Sequence, residues 1–208
     1  AGSTIEAIDP IRYISNFSSG KQGYEIANCA YTYGAETILI TGPTNIEAPE
    51  VNKIIKVESA EQMFNESMNI CKKYGSIDIA FLTAAVSDWK INKTEKKYKK
   101  NENIFKQIKF KENKDILHMI SNLKKNRPKI VCGFAAETNS LISNARKKLI
   151  NKNCDFIFAN KISNKFNPLG NDFNQISIIG KNNLKNWNKM SKKRVAEKII
   201  QEVSSYLN

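Results

Sequence analysis

Apolar residues recur along this chain in two alternating patterns, one with helical spacing and one of short continuous runs. The helical spacing predicts helices over 21–33, 59–74, 115–126, 138–152 and 191–207. The β-rich apolar runs predict strands over 36–41, 77–83, 129–134, 156–160 and 175–179. The chain is therefore expected to alternate strands with helices.

This alternation is typical of a parallel sheet covered by helices on both faces. We predict a single α/β domain over 1–208 with a Rossmann-like, doubly wound and mostly parallel sheet. Ligands of such sheets bind beyond the carboxyl ends of the strands. The loops expected at that edge are 41–43, 84–88, 135–138 and 160–161. Strand ends carry turn residues in any protein, so these loops alone do not establish a site.

Composition is that of a globular protein, with 41% hydrophobic and 25% charged residues in a chain of 208. The formal net charge of +13 favours anionic partners such as phosphates, nucleotides or nucleic acid. An Asn- and Lys-rich composition can also follow from codon preference, so the charge does not choose among these partners.

The four cysteines are widely spaced, form no CxxC pair, and are interpreted as buried free thiols: Cys29, Cys71, Cys132 and Cys154. His118 is the single histidine, which argues against a zinc site. The sequence contains neither a signal peptide nor an apolar run of about 18 residues. We therefore expect a cytoplasmic protein that does not enter the membrane.

The segment SNFSSGKQG, residues 15–23, stands immediately before the first predicted helix. It brings hydroxyls, free backbone N–H groups and Lys21 to a helix N-terminus, where the helix dipole favours anions. The segment matches neither the Walker A pattern GxxxxGK[ST] nor the dinucleotide pattern GxGxxG. On its own it is interpreted either as an anion site or as a simple helix cap.

Nine lysines lie in the stretch from Lys90 to Lys111, both included, which has little hydrophobic periodicity. We interpret it as a Lys-rich flap, and three roles stay open. It could be a solvated loop, an arm that follows nucleic-acid phosphates, or a lid whose lysine neutralises charge as pyrophosphate leaves a triphosphate.

Four short motifs carry more specific information: TIEAIDPIRYISNFSSGK at 4–21, AAVSDW at 84–89, KYKK at 97–100 and GFAAET at 133–138. In the same order they resemble TxExIDPVRxIxNxSSGK, AAVADY, KIKK and GFAAET of the phosphopantothenoylcysteine synthetase family. Further similarities are NKDIL at 113–117 to NPDIL, Lys148-Leu149 with Lys152 to KLxxK, and Asn160 at the end of a VAN-like strand. The resemblance covers residues 2 to 180.

The resemblance implies an enzyme of coenzyme A biosynthesis that joins 4′-phosphopantothenate to L-cysteine. In that family CTP first transfers cytidylate to the pantothenate carboxylate, with release of pyrophosphate. The cysteine amine then displaces CMP. CTP is a co-substrate, and Mg²⁺ is expected to accompany its triphosphate without protein ligands of its own. CTP rather than ATP is expected because AAVSDW followed by KYKK resembles bacterial members.

The resemblance also implies roles for individual residues. Asn16 and Lys97 are expected to be catalytic, Asn16 in amide formation and Lys97 in cytidylate formation. The substrate-binding residues are expected to be Arg12, Asn16, Ala84 and Ala85, with Arg12 on the substrate phosphate, across a dimer interface in relatives. The nucleotide-binding residues are expected to be Ser18, Ser19, Gly20, Lys21, Ala84, Asp88, Asn113, Lys114, Asp115, Ile116, Phe134, Lys148 and Lys152.

Three departures from the family pattern stand out. Ser3 occupies a position that is usually Gly, Lys114 replaces the proline of NPDIL, and no apolar strand precedes Gly2. We expect such a strand, a central member of the sheet, to lie outside the sequence. A flavin-dependent decarboxylase domain often precedes the synthetase in bacteria, so FMN is expected only on such a domain. A homodimer is expected from the same resemblance.

Two rival functions use the same features. An NAD-dependent oxidoreductase would share the fold, but its GxGxxG loop is absent and Thr41-Gly42-Pro43 stands where an acidic residue is expected. A nucleic-acid-binding module would use the Lys-rich flap with interleaved aromatics, for which Tyr98 and Phe105 are slender support. The resemblance favours the ligase over both.

Overall fold

The computed structural model describes residues 1–99, 108–163 and 166–207. Within these ranges the helices, in chain order, are α1 (Lys21–Thr32), α2 (Ala60–Tyr74), α3 (Ile116–Ser121), α4 (Leu141–Lys152) and α5 (Lys192–Ser204). The longest of them, α2, shows how the sequence sets the bounds. It begins at a capping box between Ser59 and Gln62 and ends at Gly75, which adopts a φ of 65°.

The strands of the described residues are β1 (Glu6–Ala7), β2 (Tyr13–Ile14), β3 (Ile38–Thr41), β4 (Lys53–Lys56), β5 (Ile79–Leu82), β6 (Trp89–Ile91), β7 (Phe110–Glu112), β8 (Ile130–Glu137), β9 (Phe156–Lys161), β10 (Phe173–Asn174), β11 (Ser177–Gly180), β12 (Leu184–Asn186) and β13 (Met190–Ser191). The central sheet has the order β12-β11-β9-β8-β5. Its strands β5, β8 and β9 are parallel, and β11 and β12 are antiparallel to their neighbours. β3 and β4 form a separate parallel pair.

Helices cover both faces of the central sheet. On one face, Ile157 and Val131 pack with side chains of α2, α3 and α4. On the other, Phe158 and Cys132 pack with side chains of α1 and α5. Side chains alternate between the two faces along each strand, so β8 and β9 contribute to both cores. The predicted doubly wound α/β fold is confirmed, and all four cysteines are buried free thiols.

Residues 1–4 lie between β3 and β5. The backbone N–H of Gly42 donates to the carbonyl of Ala1 at 3.0 Å, and that of Ala85 donates to Gly2, also at 3.0 Å. The approach is close, because a Cβ on Gly42 would lie 1.7 Å from the carbonyl oxygen of Ser3. These contacts place the following loop at the carboxyl ends of the strands. The strand expected before Gly2 stays a prediction.

Two predicted elements differ from the structure. The helix predicted over 115–126 is wrong in length, since α3 ends at Ser121, where Asn122 caps it. The base of the flap contains two strands that the sequence did not predict, β6 and β7, which pair antiparallel with Trp89 opposite Glu112. The middle of the flap, from 100 to 107, lies outside the described residues, and Lys100 and Phe105 with it.

Candidate functional site

Asn16 joins the loop before α1 to the carboxyl end of β5. Its Nδ2 donates to the carbonyl of Ala85 at 2.5 Å, and its Oδ1 accepts from the backbone N–H of Ser18 at 3.1 Å. Both ends of the amide are thus engaged, which fixes its orientation. The structure therefore brings together Asn16, Ala84 and Ala85, three of the residues predicted to bind substrate.

Asn113 connects the loop after β5 to the base of the flap. Its backbone N–H donates to the carbonyl of Asp88 at 2.8 Å, and its Nδ2 donates to the carbonyl of Ser87 at 2.9 Å. The backbone N–H of Ser87 in turn donates to the hydroxyl of Thr4 at 2.9 Å. Asp88 itself is exposed at this edge. Two residues predicted to bind nucleotide, Asp88 and Asn113, are therefore neighbours.

A charged cluster lies between α3, α4 and the end of β8. Lys152 Nζ lies 2.5 Å from Asp115 Oδ2, and Lys148 Nζ donates to the carbonyl of Phe134 at 2.9 Å. The Phe134 ring packs on Phe158 with 5.2 Å between ring centroids. The fold thus brings together four residues that come from separate motifs in the sequence: Asp115, Phe134, Lys148 and Lys152.

Burial and neighbouring charge act in opposite directions in this cluster. Burial raises the pKa of Asp115, but hydrogen bonds from Lys152 and the His118 N–H, with the charges of Lys152 and Lys148, lower it overall. Burial lowers the pKa of Lys148, against the raising effect of Asp115 and Glu137. Among the described residues, Asp115 is the carboxylate that forms an ion pair in this partly desolvated pair of cations, and the remaining positive charge suits an anionic ligand.

Asp115 also caps α3, and this role gives a stability prediction. Its Oδ1 accepts from the backbone N–H of His118 at 2.8 Å. We expect Asp115→Ala to lower the free energy of unfolding by about 1 kcal/mol, measured by urea denaturation. Asp115→Ser removes the ion pair with Lys152 but retains a capping oxygen, so it should lose less. Equal losses in the two variants would contradict a capping contribution.

The loop before α1 presents backbone N–H groups at the helix N-terminus. Gly20 has a φ of 77°, and α1 has neither a side-chain cap nor an acidic residue in its first turn. A second loop packs against it, since both the N–H and the hydroxyl of Ser19 donate to the carbonyl of Leu169. Lys21 Nζ donates to Asp172 at 2.6 Å. The predicted residues Ser19 and Lys21 are therefore held against the loop that contains Leu169 and Asp172.

Arg12 is held within its own chain by Asp9. The guanidinium Nε donates to Asp9 Oδ2 at 3.0 Å, and one terminal nitrogen donates to the carbonyl of Tyr98 at 3.2 Å. The Arg12 bond, with the backbone N–H groups of Ile11, Arg12 and Tyr98, holds the pKa of the Asp9 carboxyl well below its usual range. Lys97, next to Tyr98, is exposed. The sequence contained Asp9 in its motif but suggested no role for it.

Other predicted residues lie apart from these contacts. The Lys114 ammonium sits over the ring of Phe64, 4.3 Å from its centroid. Ile116 is buried in the core under α3. Asp172 and Leu169, which complete the surface at α1, were not predicted. They lie about 150 residues from Ser19 and Lys21, and no sequence periodicity relates them.

The described residues contain no group of three or more His, Cys, Asp or Glu side chains suited to hold a metal ion. Among those same residues, no helix combines the length and the apolar character that crossing a bilayer requires.

Comparison with known proteins places this geometry in a family. The family model described as the DNA/pantothenate metabolism flavoprotein C-terminal domain matches residues 1–207. The chain belongs to this family. The resemblance to phosphopantothenoylcysteine synthetases found in the sequence motifs is thereby confirmed.

Two relatives of this chain are bifunctional proteins. The coenzyme A biosynthesis bifunctional protein CoaBC of Borreliella burgdorferi is 41% identical over 204 residues, 97% of this chain and 50% of that protein. CoaBC of Haemophilus influenzae is 39% identical over 206 residues, 98% of this chain and 50% of that protein. The chain thus spans about half the length of these relatives.

A solved structure of the same family has the same fold. The crystal structure of the C-terminal domain of CoaBC superposes with a TM-score of 0.81 at 32% identity. The match covers 100% of this chain and 92% of that one. The arrangement of strands and helices described above is therefore the arrangement of the family.

Proposed function

We propose that this chain joins 4′-phosphopantothenate to L-cysteine through an acyl-cytidylate made from CTP. The observation that carries the proposal is the 2.5 Å hydrogen bond from Asn16 to Ala85. It fixes a side-chain amide at the carboxyl end of β5, where a doubly wound sheet binds its ligands. The family membership and the CoaBC relatives support the same reaction.

In the first step, the pantothenate carboxylate attacks the α-phosphorus of CTP. The bond from that phosphorus to the pyrophosphate oxygen breaks, and pyrophosphate leaves. Lys148 and Lys152 supply positive charge beside the nucleotide, and Lys97 neutralises charge that develops on the phosphates. The N–H groups at the start of α1 bind phosphate oxygens. A magnesium ion would be held mainly by the triphosphate, with Asp88 as the exposed carboxylate nearby.

In the second step, the cysteine amine attacks the acyl carbon of the cytidylate. The carbon–oxygen bond to CMP breaks, CMP leaves, and the new amide nitrogen loses a proton to solvent. Asn16 would stabilise the oxyanion of the tetrahedral intermediate, since an amide N–H is a suitable donor. The contacts of Asn16 with Ala85 and Ser18 support this role, because they orient the amide before substrate arrives.

Arg12 would bind the phosphate of phosphopantothenate, because a guanidinium can grip two phosphate oxygens at once. We propose that it does so at the interface of a homodimer. Ile11 and Tyr13, which flank Arg12, are 62% and 58% exposed, so an apolar surface is available there. A linked flavin-dependent decarboxylase stays a prediction.

The test is product release by the purified chain supplied with CTP, Mg²⁺, 4′-phosphopantothenate and L-cysteine. We expect pyrophosphate when cysteine is omitted, and CMP with the amide product only when all four are present. ATP in place of CTP is the matched control for selectivity toward the nucleotide base. We expect ATP to support a slower reaction. Nucleic-acid retention on filters, measured across salt concentration, tests the rival module in parallel. Salt-dependent nucleic-acid binding without CTP turnover would overturn the proposal.

A further inference from the structure

The N-termini of α1 and α5 meet at one place on the sheet. The side chain of Gln22, at the start of α1, donates to the carbonyl of Lys192 at 3.1 Å. The backbone N–H of Lys192 donates to the carbonyl of Asp172 at 2.8 Å, and the carboxylate of Asp172 accepts from Lys21. Two positive dipole ends are therefore joined through Asp172.

The side chains at these two helix starts have the wrong sign for the dipoles. Helices favour acidic residues in their first turn, but neither α1 nor α5 has one. Lys21 begins α1, and Lys192, Lys193 and Arg194 begin α5. Among the described residues, Asp172 is the carboxylate paired with Lys21, and its side chain is 71% exposed, whereas Arg194 pairs with Glu197 one turn further along α5. The arrangement has an excess of positive charge that an anion would neutralise.

Lys192 is the decisive side chain. It is 3% exposed, and its ammonium has no hydrogen-bond or ion-pair partner among the described residues. Its Nζ is not among the fully buried unpartnered atoms of the described residues, so the ammonium keeps a small contact with solvent at the end of a buried stem. A largely desolvated ammonium without a partner is costly, so such a lysine is seldom retained for stability. Lys192 differs in this from Lys185, which pairs with Glu202 at 2.7 Å.

Asn160 is a second buried polar side chain on the same face of the sheet. It is 7% exposed, and its amide has no hydrogen-bond partner in the part of the chain that the structure describes. It follows Phe158 by two positions on β9, so it projects from the sheet face that α1 and α5 cover. The Asn160 amide atoms are not among the fully buried unpartnered atoms of the described residues, so they reach solvent, where a ligand at this end of the face would bond to them.

We propose that Lys192 binds the β- and γ-phosphates of the nucleotide, together with Lys21 and the backbone N–H groups at the start of α1. The inference rests on the proposed function for the identity of the nucleotide, but the chemistry that it requires is only a polyphosphate anion. Lys192 would hold the pyrophosphate group in place while the α-phosphorus is attacked, so it is a binding residue for the leaving group.

The protonation of Lys192 provides an independent readout. Burial, with the charge of Lys21, lowers the pKa of Lys192 to about 8, against the raising effect of Asp172 and Glu25. Lys193 and Arg194, on its own helix, point into solvent. A bound anion favours the charged form, so it raises the pKa again. Polyphosphate binding near pH 8 to 9 should therefore take up a proton.

The experiment is calorimetric titration with inorganic tripolyphosphate at pH 8.5, in two buffers of different ionisation enthalpy. The parent chain should take up more protons on binding than Lys192→Met does, because the ionisation of tripolyphosphate itself is common to both. Lys192→Met should bind about 10- to 100-fold more weakly, because a charge-assisted hydrogen bond is lost, and without that additional uptake. Lys192→Arg should regain affinity but not the additional uptake, since a guanidinium does not titrate there. Lys193→Met is the matched control and should behave as the parent.

The outcomes separate this inference from the proposed function. Parental affinity and proton uptake in Lys192→Met would overturn the inference, as would a parent chain that does not bind tripolyphosphate. Lys192-dependent binding in a chain that forms no amide product would leave the inference standing and overturn the proposed function. If Lys192→Met fails to fold, Lys192→Arg tests the inference on its own. Tripolyphosphate binding without the proton uptake of the parent supports the inference, and binding with parental proton uptake contradicts it.

Discussion

Asn16→Ala is expected to release pyrophosphate at nearly the parental rate while forming amide product about 10²- to 10³-fold more slowly. The physical reason is that the amide of Asn16 acts where negative charge develops on the acyl oxygen, which happens only in the second step. The acyl-cytidylate should therefore accumulate. The measurement is the ratio of pyrophosphate to CMP released in a single turnover.

The control for this substitution is Asn182→Ala, which removes an exposed amide between β11 and β12, away from β5. It should leave both products unchanged. Asn16 also accepts from the N–H of Ser18, so its loss could disturb the loop before α1. An equal fall in pyrophosphate and amide product would show such a disturbance, and would contradict a role confined to amide formation.

The sequence predicts the layered part of this fold well, because helix starts and apolar strand runs are local signals. Ser59 with Gln62 marks the start of α2, and Gly75 marks its end. The sequence does not predict the direction of β11, since the same apolar run occurs in parallel and in antiparallel strands. The early end of α3 depends on Asn122, whose side chain bonds to the carbonyl of Lys152, far along the chain.

The candidate site was predicted through its motifs, but its internal contacts were not. A motif names Asn16 and Ala85, whereas only the fold shows that one donates to the other. Nothing in the sequence indicated a role for Lys192, because a lysine in a basic first helical turn is normally solvated. What distinguishes it is burial without a partner, a property of tertiary packing. Local patterns thus indicate which side chains are of a type that can bind or catalyse. Tertiary packing determines which of them are placed to do so.

Lys97→Ala is expected to lower pyrophosphate release about 100-fold, with amide formation falling in proportion. Lys97 is exposed, but its neighbour Tyr98 is fixed, since the Tyr98 N–H donates to Asp9 at 3.3 Å and the Tyr98 carbonyl accepts from Arg12. The flap therefore presents Lys97 beside the proposed substrate-binding arginine. An ammonium there would act in the first step, before any acyl-cytidylate exists.

The pattern of products distinguishes Lys97 from Asn16. Loss of Lys97 should slow both products together, whereas loss of Asn16 should separate them. Lys96→Ala, which removes an exposed lysine one position away, should be nearly parental. If Lys96→Ala and Lys97→Ala are equally slow, the flap contributes only diffuse positive charge. That result would exclude a specific contact from Lys97 to the leaving pyrophosphate, because diffuse charge does not depend on which lysine is removed.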